Sequence, residues 1–198
     1  PGTVIASSML EDSKNNYICA IYADSAAYGL CLCDISTGEV YSSSFPAGAE
    51  GLGHLQNELG RFHPAEAVLS SGAWNTDGLV PFLKDRLDCL CENGGEARFR
   101  MGAAKPLAEK QFKTGLADIP PQDEAAIQAA GGLLAYLYET QKTDLSHISA
   151  LTYYTAGQFM ELDLTARQTL ELTATMRGKE KRGSLLWVLD RTKTAMGG

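Results

Sequence analysis

The spacing of apolar residues changes along the chain. Tyr17-Ile-Cys-Ala-Ile-Tyr-Ala23 is an unbroken apolar run, and Tyr-Gly-Leu-Cys-Leu-Cys-Asp-Ile over 28–35 is nearly so. Short runs of this kind, bounded by turn residues, predict buried strands. Ser36-Thr37-Gly38 reads as a tight turn with Gly supplying the unusual backbone angle. The stretch 39–45 is then a third strand, and the three form an antiparallel meander.

Beyond Phe45 the period becomes that of a helix. Leu52, Leu55 and Leu59 share one face over 50–62. A short strand is predicted over 65–70, a helix with Pro81 inside it over 76–87, and a brief strand over 87–91. A short helix over 105–112 opens on Pro106, which suits a first turn. Pro120-Pro121 breaks the chain. The clearest helix spans 123–140, with Ile127, Ala130, Leu134, Leu137 and Tyr138 on one face. A meander followed by alternating helices and strands predicts an α/β layer fold, a mixed sheet flanked by helices.

After Thr155 no strand pattern recurs. Two helices are predicted, 163–173 and 184–191, with Asp163 and Ser184 as caps. Met176-Arg-Gly-Lys-Glu-Lys-Arg-Gly183 links them. Helices this short cannot bury a core alone. A fragment of a larger protein is therefore expected: a linker over 1–16, a mixed-sheet domain over 17–155 and the start of a helical domain over 156–198. Leu185, Leu186, Trp187 and Leu189 would then expose an apolar stripe.

Charge sharpens that division. Residues 1–155 carry a net −9 and residues 156–198 a net +2, within a total of −7 over 198 residues. The overall deficit disfavours a dedicated nucleic-acid binder. Arg177, Lys179, Lys181 and Arg182 form the one basic run, able to release counterions from a DNA backbone without reading sequence. Glu180 lies among them, and most such runs are simply solvated. No apolar stretch approaches the roughly 20 residues that span a bilayer. No signal peptide is visible, and the five cysteines are odd in number, which points to a reducing cytosol. The pairs Cys31/Cys33 and Cys89/Cys91 invite a four-thiolate zinc site, but their spacing is that of strand residues rather than of a zinc-binding turn. Buried apolar cysteines are the plainer reading.

Other candidates carry less. His54, His63 and His147 have no metal-chelating partner at helical spacing. Ser70-Ser71-Gly72 lacks the nucleophile-elbow pattern. Gly131-Gly132 lies within a predicted helix and indicates close packing rather than a phosphate loop. Asp24, Asp34 and Glu39 are the carboxylates that a two-metal nuclease would have to gather. Asp24 and Asp34 equally suit strand ends and turns, where aspartate accepts backbone hydrogen bonds.

Phe159-Met-Glu-Leu-Asp-Leu-Thr-Ala-Arg-Gln-Thr-Leu-Glu-Leu172 closely resembles the MutS family of DNA mismatch-repair proteins. So does Gly183-Ser-Leu-Leu-Trp-Val-Leu-Asp-Arg-Thr-Lys-Thr-Ala-Met-Gly-Gly198. In that family an Arg follows the final Gly. Pro1-Gly-Thr3 is similar to the family's entry into its second domain. Residues 16–40 resemble its Asn-Tyr-apolar strand and Asp-Ile-Ser-Thr-Gly-Glu hairpin. Ala129-Ala-Gly-Gly-Leu-Leu-Ala-Tyr-Leu-Tyr-Glu-Thr-Gln141 is similar to its long helix.

The resemblance implies a ribonuclease-H-like connector domain followed by the first helices of the core, or lever, domain. It implies a parent that dimerises, recognises mispaired DNA, binds and hydrolyses ATP with Mg2+, becomes a sliding clamp and recruits MutL. The chain has no Gly-x4-Gly-Lys-Ser/Thr loop to cradle phosphates. A Phe-x-Glu mismatch-reading motif is not expected either. The connector is therefore expected to be non-catalytic and without a cofactor of its own. It would transmit movements between domains and contact MutL. Arg167 would bridge domains as readily as touch DNA. Two alternatives are a metal-dependent nuclease and a weak, non-specific DNA-binding module.

Overall fold

The computed structural model describes residues 16–140, 145–155, 169–170 and 184–189. The chain divides into two compact units, 1–158 and 159–198.

The first unit is built on one six-stranded mixed sheet. Its strands are β1 (Tyr17–Ala23), β2 (Ala27–Asp34), β3 (Glu39–Pro46), β4 (Glu66–Leu69), β5 (Leu90–Asn93) and β6 (Thr152–Tyr153). The spatial order is β5-β4-β1-β2-β3-β6. β1, β2 and β3 pair antiparallel, as the meander predicts. β4 runs parallel to β1, β5 parallel to β4 and β6 parallel to β3. A meander extended on its first strand by parallel strands is the ribonuclease-H-like arrangement.

Helix α5 (Glu124–Thr140) covers one face. Ile18, Ala20 and Tyr22 of β1, Cys31 and Cys33 of β2, and Val68 of β4 form one core with its Ala126, Ala130, Leu133 and Leu137. α1 (Ala49–Phe62) lies on the chain between β3 and β4. Its Phe62 ring meets Tyr17 edge-on, 5.1 Å between centroids, and Tyr41 at 5.5 Å. All seven residues of β1 are buried, because a central strand covered on both faces reads as a continuous apolar run.

Glycines let α5 approach. A Cβ on Gly29 would lie 1.9 Å from the Ala125 carbonyl oxygen. Gly131 and Gly132 sit inside α5, against Ala104 of α4 (Met101–Gln111) and against Phe99 respectively. The expected close packing of this glycine pair is therefore present.

Several boundaries differ from expectation. The helix expected over 76–87 starts at Leu79, as α3 (Leu79–Pro81), and runs on through a π-helical turn, Phe82–Arg86, to residue 87. α2 (Ser71–Trp74) precedes it, and the Ser70 side chain accepts from the Ala73 amide as its cap. Asp88 then takes a left-handed backbone, φ 52°, which delays the next strand from residue 87 to Leu90. α4 does not open at Pro106. It starts at Met101, where the Ala103 and Ala104 amides donate to the Arg100 carbonyl. Pro106 cannot donate to the Gly102 carbonyl one turn earlier. Both residues are exposed, so water can complete that bond. α5 begins one residue later than expected, after a 3-10 turn at Pro121–Asp123. β6 has no counterpart in the sequence reading, because two residues show no periodicity.

The expected linker lies outside the described residues except Asn16, as does the helix over 163–173 except 169–170. In the second unit α6 (Leu185–Leu189) forms within the helix expected over 184–191, and the Val188 amide donates to the Ser184 carbonyl. Leu185, Val188 and Leu189 are exposed. The Leu186 and Trp187 side chains lie outside the described residues.

Candidate functional site

The basic run Arg177, Lys179, Lys181 and Arg182 lies outside the described residues. Of the three carboxylates weighed for metal chemistry, Asp34 and Glu39 are register partners across β2 and β3, but Asp24 lies apart from them. Asp24 follows the end of β1, whereas Asp34 pairs with Tyr17 at the beginning of β1, so the two occupy opposite ends of the sheet. Each acts in its own turn. The Asp24 Oδ1 accepts from the Ala26 and Ala27 amides at 2.8 and 2.9 Å, and its Oδ2 from the Tyr22 hydroxyl. Burial pushes this carboxyl up, but the donated bonds outweigh burial and hold it below the usual aspartate value. The Asp34 Oδ1 accepts from the Ser36 amide and hydroxyl and weakly from the Thr37 amide. Its Oδ2 is buried without a hydrogen-bond partner. Among the described residues no three His, Cys, Asp or Glu side chains converge to hold a metal.

Asp24→Ala is expected to cost about 1 kcal/mol by removing these turn bonds. A carboxyl held low in the folded state contributes stability above its unfolded pKa, near 3.9, and loses it as pH falls through the folded value. The variant should therefore show a shallower loss of stability in acid, measured by urea unfolding as a function of pH.

The two Cys-x-Cys pairs lie on opposite faces of the sheet. Cys31 and Cys33 face α5. Cys91 pairs with Ala67, and Ala67 with Cys19, whose β1 neighbours Ile18 and Ala20 point to α5. Alternation along a strand puts Cys19 and Cys91 on the other side, so a four-thiolate centre from the two pairs cannot form. Burial, with Asp34 nearby, pushes Cys33 up to about 12.

His63 closes α1 in a left-handed conformation, φ 50°, its amide on the Leu59 carbonyl. His54 faces Glu50 at 3.8 Å one turn away. A ring nitrogen of His147 lies 2.8 Å from the Ile35 carbonyl oxygen.

The chemistry that sequence reasoning missed is a set of phenol–carboxylate ties between distant segments. Tyr136 of α5 donates to Glu66 of β4, both buried. Tyr153 of β6 donates to Asp123 at 2.6 Å, and Tyr154 to Glu58 of α1 at 2.8 Å. Burial first, and then the neighbouring carboxylates, raise the pKa of Tyr136 and Tyr153; burial and Glu58 raise that of Tyr154. Arg98 spans Glu92 of β5 and Glu139 of α5, and its guanidinium lies 5.9 Å from the Tyr136 ring centre. The only signal for these ties was a lone charge, Glu66, inside an apolar strand. These bonds fasten the covering helices and the last strand to the sheet.

An open groove of about 510 Å3 lies between the end of α4 and the start of α5. Phe112, Leu116 and Ile127 contribute apolar surface, and Lys105, Lys113 and Glu124 charge.

Residues 16–149 match the family model described as MutS domain II. The chain belongs to the MutS family. It is 38% identical over 198 residues to a DNA mismatch repair protein MutS of Ruminiclostridium cellulolyticum. It is 39% identical over 201 residues to the one of Acetivibrio thermocellus, and 37% over 198 residues to that of Symbiobacterium thermophilum. Each alignment covers the whole chain and 22% of the relative, so the chain spans about a fifth of the length of these MutS proteins. A mixed six-stranded sheet with flanking helices is thus what MutS domain II looks like in this sequence. A Phe-x-Glu string does occur, against expectation, as Phe159-Met-Glu161. It falls in the stretch that resembles the lever and outside the described residues. Among the described residues no helix is long and apolar enough to cross a membrane.

Proposed function

We propose that the chain is the connector, and the start of the lever, of a cytoplasmic MutS protein. Its domains are a mixed-sheet connector over 17–155 and a helical beginning over 156–198. It works without catalysis, transmitting movements between neighbouring domains and offering a surface to MutL. Recognition of mispaired DNA and hydrolysis of ATP belong to the parent. The match of residues 16–149 to MutS domain II carries this reading. The phenol–carboxylate ties support it, because transmission needs packed elements that move as a unit.

The test has two arms. Fluorescence anisotropy of a G·T-mismatched duplex and its matched twin should show no binding by the chain, or weak binding that salt removes equally from both. Titration of immobilised chain with MutL in the presence of nucleotide should show saturable binding. Tight binding that prefers the mismatch would end the connector reading. Absence of MutL binding would end the docking role while leaving transmission to be judged in the parent.

A further inference from the structure

A pair of thiols at the sheet edge is not used by the connector reading. Cys89 and Cys91 flank Leu90 at the start of β5. Cys89 is buried, and Cys91 is half-exposed. The Cys89 amide donates to the Leu83 carbonyl in the π-helical turn, 3.0 Å. The Cys91 thiol donates to the Cys89 carbonyl oxygen at 3.5 Å, and the Cys89 thiol to the Leu90 carbonyl oxygen at 3.7 Å, so both sulfurs lie along the 89–91 backbone. Two residues of extended chain separate Cα atoms by at most about 6.8 Å, the upper end of what a disulfide spans.

Their surroundings make the two thiols unequal. The neighbouring Cys89 side chain lowers the Cys91 pKa, burial opposes it, and the Lys84 ammonium lowers it further. Lys84 is itself held 5.7 Å over the Trp74 ring. The Cys89 pKa is raised by the neighbouring Cys91 and by burial. A half-buried thiol two residues from a fully covered one, on a single extended stretch, is the arrangement of an attacking and a resolving cysteine. The other cysteines lack it. Cys31 and Cys33 are buried beneath α5. Cys19 is buried and separated from Cys91 by the β4 strand at Ala67.

We propose that Cys89 and Cys91 form a reversible redox dithiol that is oxidised by peroxides. The Cys91 thiolate attacks one oxygen of hydrogen peroxide. The S–O bond forms and the O–O bond breaks, giving a sulfenic acid and hydroxide, which takes the proton that Cys91 had lost. Sulfur is oxidised and peroxide reduced by one electron pair. The Cys89 sulfur then attacks the Cys91 Sγ. The S–S bond forms, the S–O bond breaks, and the departing oxygen leaves as water with the Cys89 proton. Two thiols and one peroxide become one disulfide and two waters, and a dithiol reductant reverses the change.

The experiment exposes the reduced chain to stoichiometric hydrogen peroxide. Free thiols are then alkylated and peptides read by mass spectrometry. The expected product is a peptide containing residues 89–91 that has lost two hydrogens and takes no alkyl group until a reductant is added. In Cys89→Ala that disulfide is lost and Cys91 is trapped by dimedone as its sulfenic acid. In Cys91→Ser no oxidised 89–91 peptide forms. Circular dichroism confirms that each variant is folded, and the result for the unaltered chain needs no variant. Oxidation of Cys31 or Cys33 as fast as of Cys91 would overturn the proposal. So would a Cys91 that stays fully alkylatable, or one that passes to sulfinic acid without linking to Cys89.

Discussion

Valine at position 131 should lower the stability of the N-terminal unit by about 3 kcal/mol or more, at or beyond the upper range for overpacking. A Cβ there would sit 2.3 Å from both the Cα and the Cβ of Ala104 and 2.6 Å from its carbonyl oxygen. These are mainly backbone atoms of α4, so no side-chain rotation relieves the clash and the two helices must part. Opening that contact also uncovers Ala104 and Ala108, both fully buried. Domains of this kind have only about 5–15 kcal/mol in total, so the loss is a large share. Alanine at 131 is the sharper test. On helix propensity alone it should stabilise by about 1 kcal/mol, yet the contact predicts destabilisation. Gly53 in α1 is the control, because a Cβ there meets nothing within 4 Å. Gly53→Ala should stabilise while Gly131→Ala destabilises. Urea unfolding measures both, and stabilisation of Gly131→Ala would sink the account of how α4 and α5 pack.

What could be read from the sequence follows from burial. β1 was expected over 17–23 and is found at Tyr17–Ala23, because a strand covered on both faces leaves an unbroken apolar run between turn residues. α5 was legible for a related reason, since its length lets the helical period repeat. The region from Thr76 to Gln111 was harder. Left-handed Asp88 and the π-helical turn are backbone choices that leave no periodic trace. Pro106 misled because a proline tolerated on an exposed helix face looks the same in sequence as one that opens a helix. The cysteines show the limit most plainly. That they belong with strands was legible from their alternation, but Cys89 falls just before β5. That the two pairs face opposite ways required knowing that β5 pairs with β4 and β4 with β1. The tie from Glu66 to Tyr136 joins residues 70 positions apart, and no local pattern links them. A charge inside an apolar strand says only that a partner must exist.

Removing that partner should have the second large effect. Tyr136→Phe deletes the hydroxyl that donates to the Glu66 carboxylate, in a place where both residues are buried. A hydrogen bond to a charged group is worth about 1.5–3 kcal/mol, and the loss should fall in that range. The ring stays, so packing against the core is kept and the change reports on the bond. Glu66→Gln should cost less, because an amide oxygen still accepts from the phenol. If Tyr136→Phe also weakens Glu66→Gln by its full amount, the two residues act separately and the tie is not what holds them. The pH dependence gives an independent reading. Burial, and then Glu66, raise the Tyr136 pKa above its ordinary value near 10. The folded state therefore keeps the phenol proton where the unfolded state releases it. Stability is complete below pH 10 and is lost as pH rises from there towards the higher folded value. Tyr153 and Tyr154 are raised in the same way by burial and by Asp123 and Glu58, so the three ties should fail over one alkaline range. Phenolate absorbance followed alongside circular dichroism should show tyrosine ionisation and unfolding rising together in the unaltered chain. In Tyr136→Phe the alkaline loss should be shallower, since one of the three protons no longer has to leave. A variant with an unchanged alkaline slope would show that Tyr136 ionises in the folded state as freely as in the unfolded one.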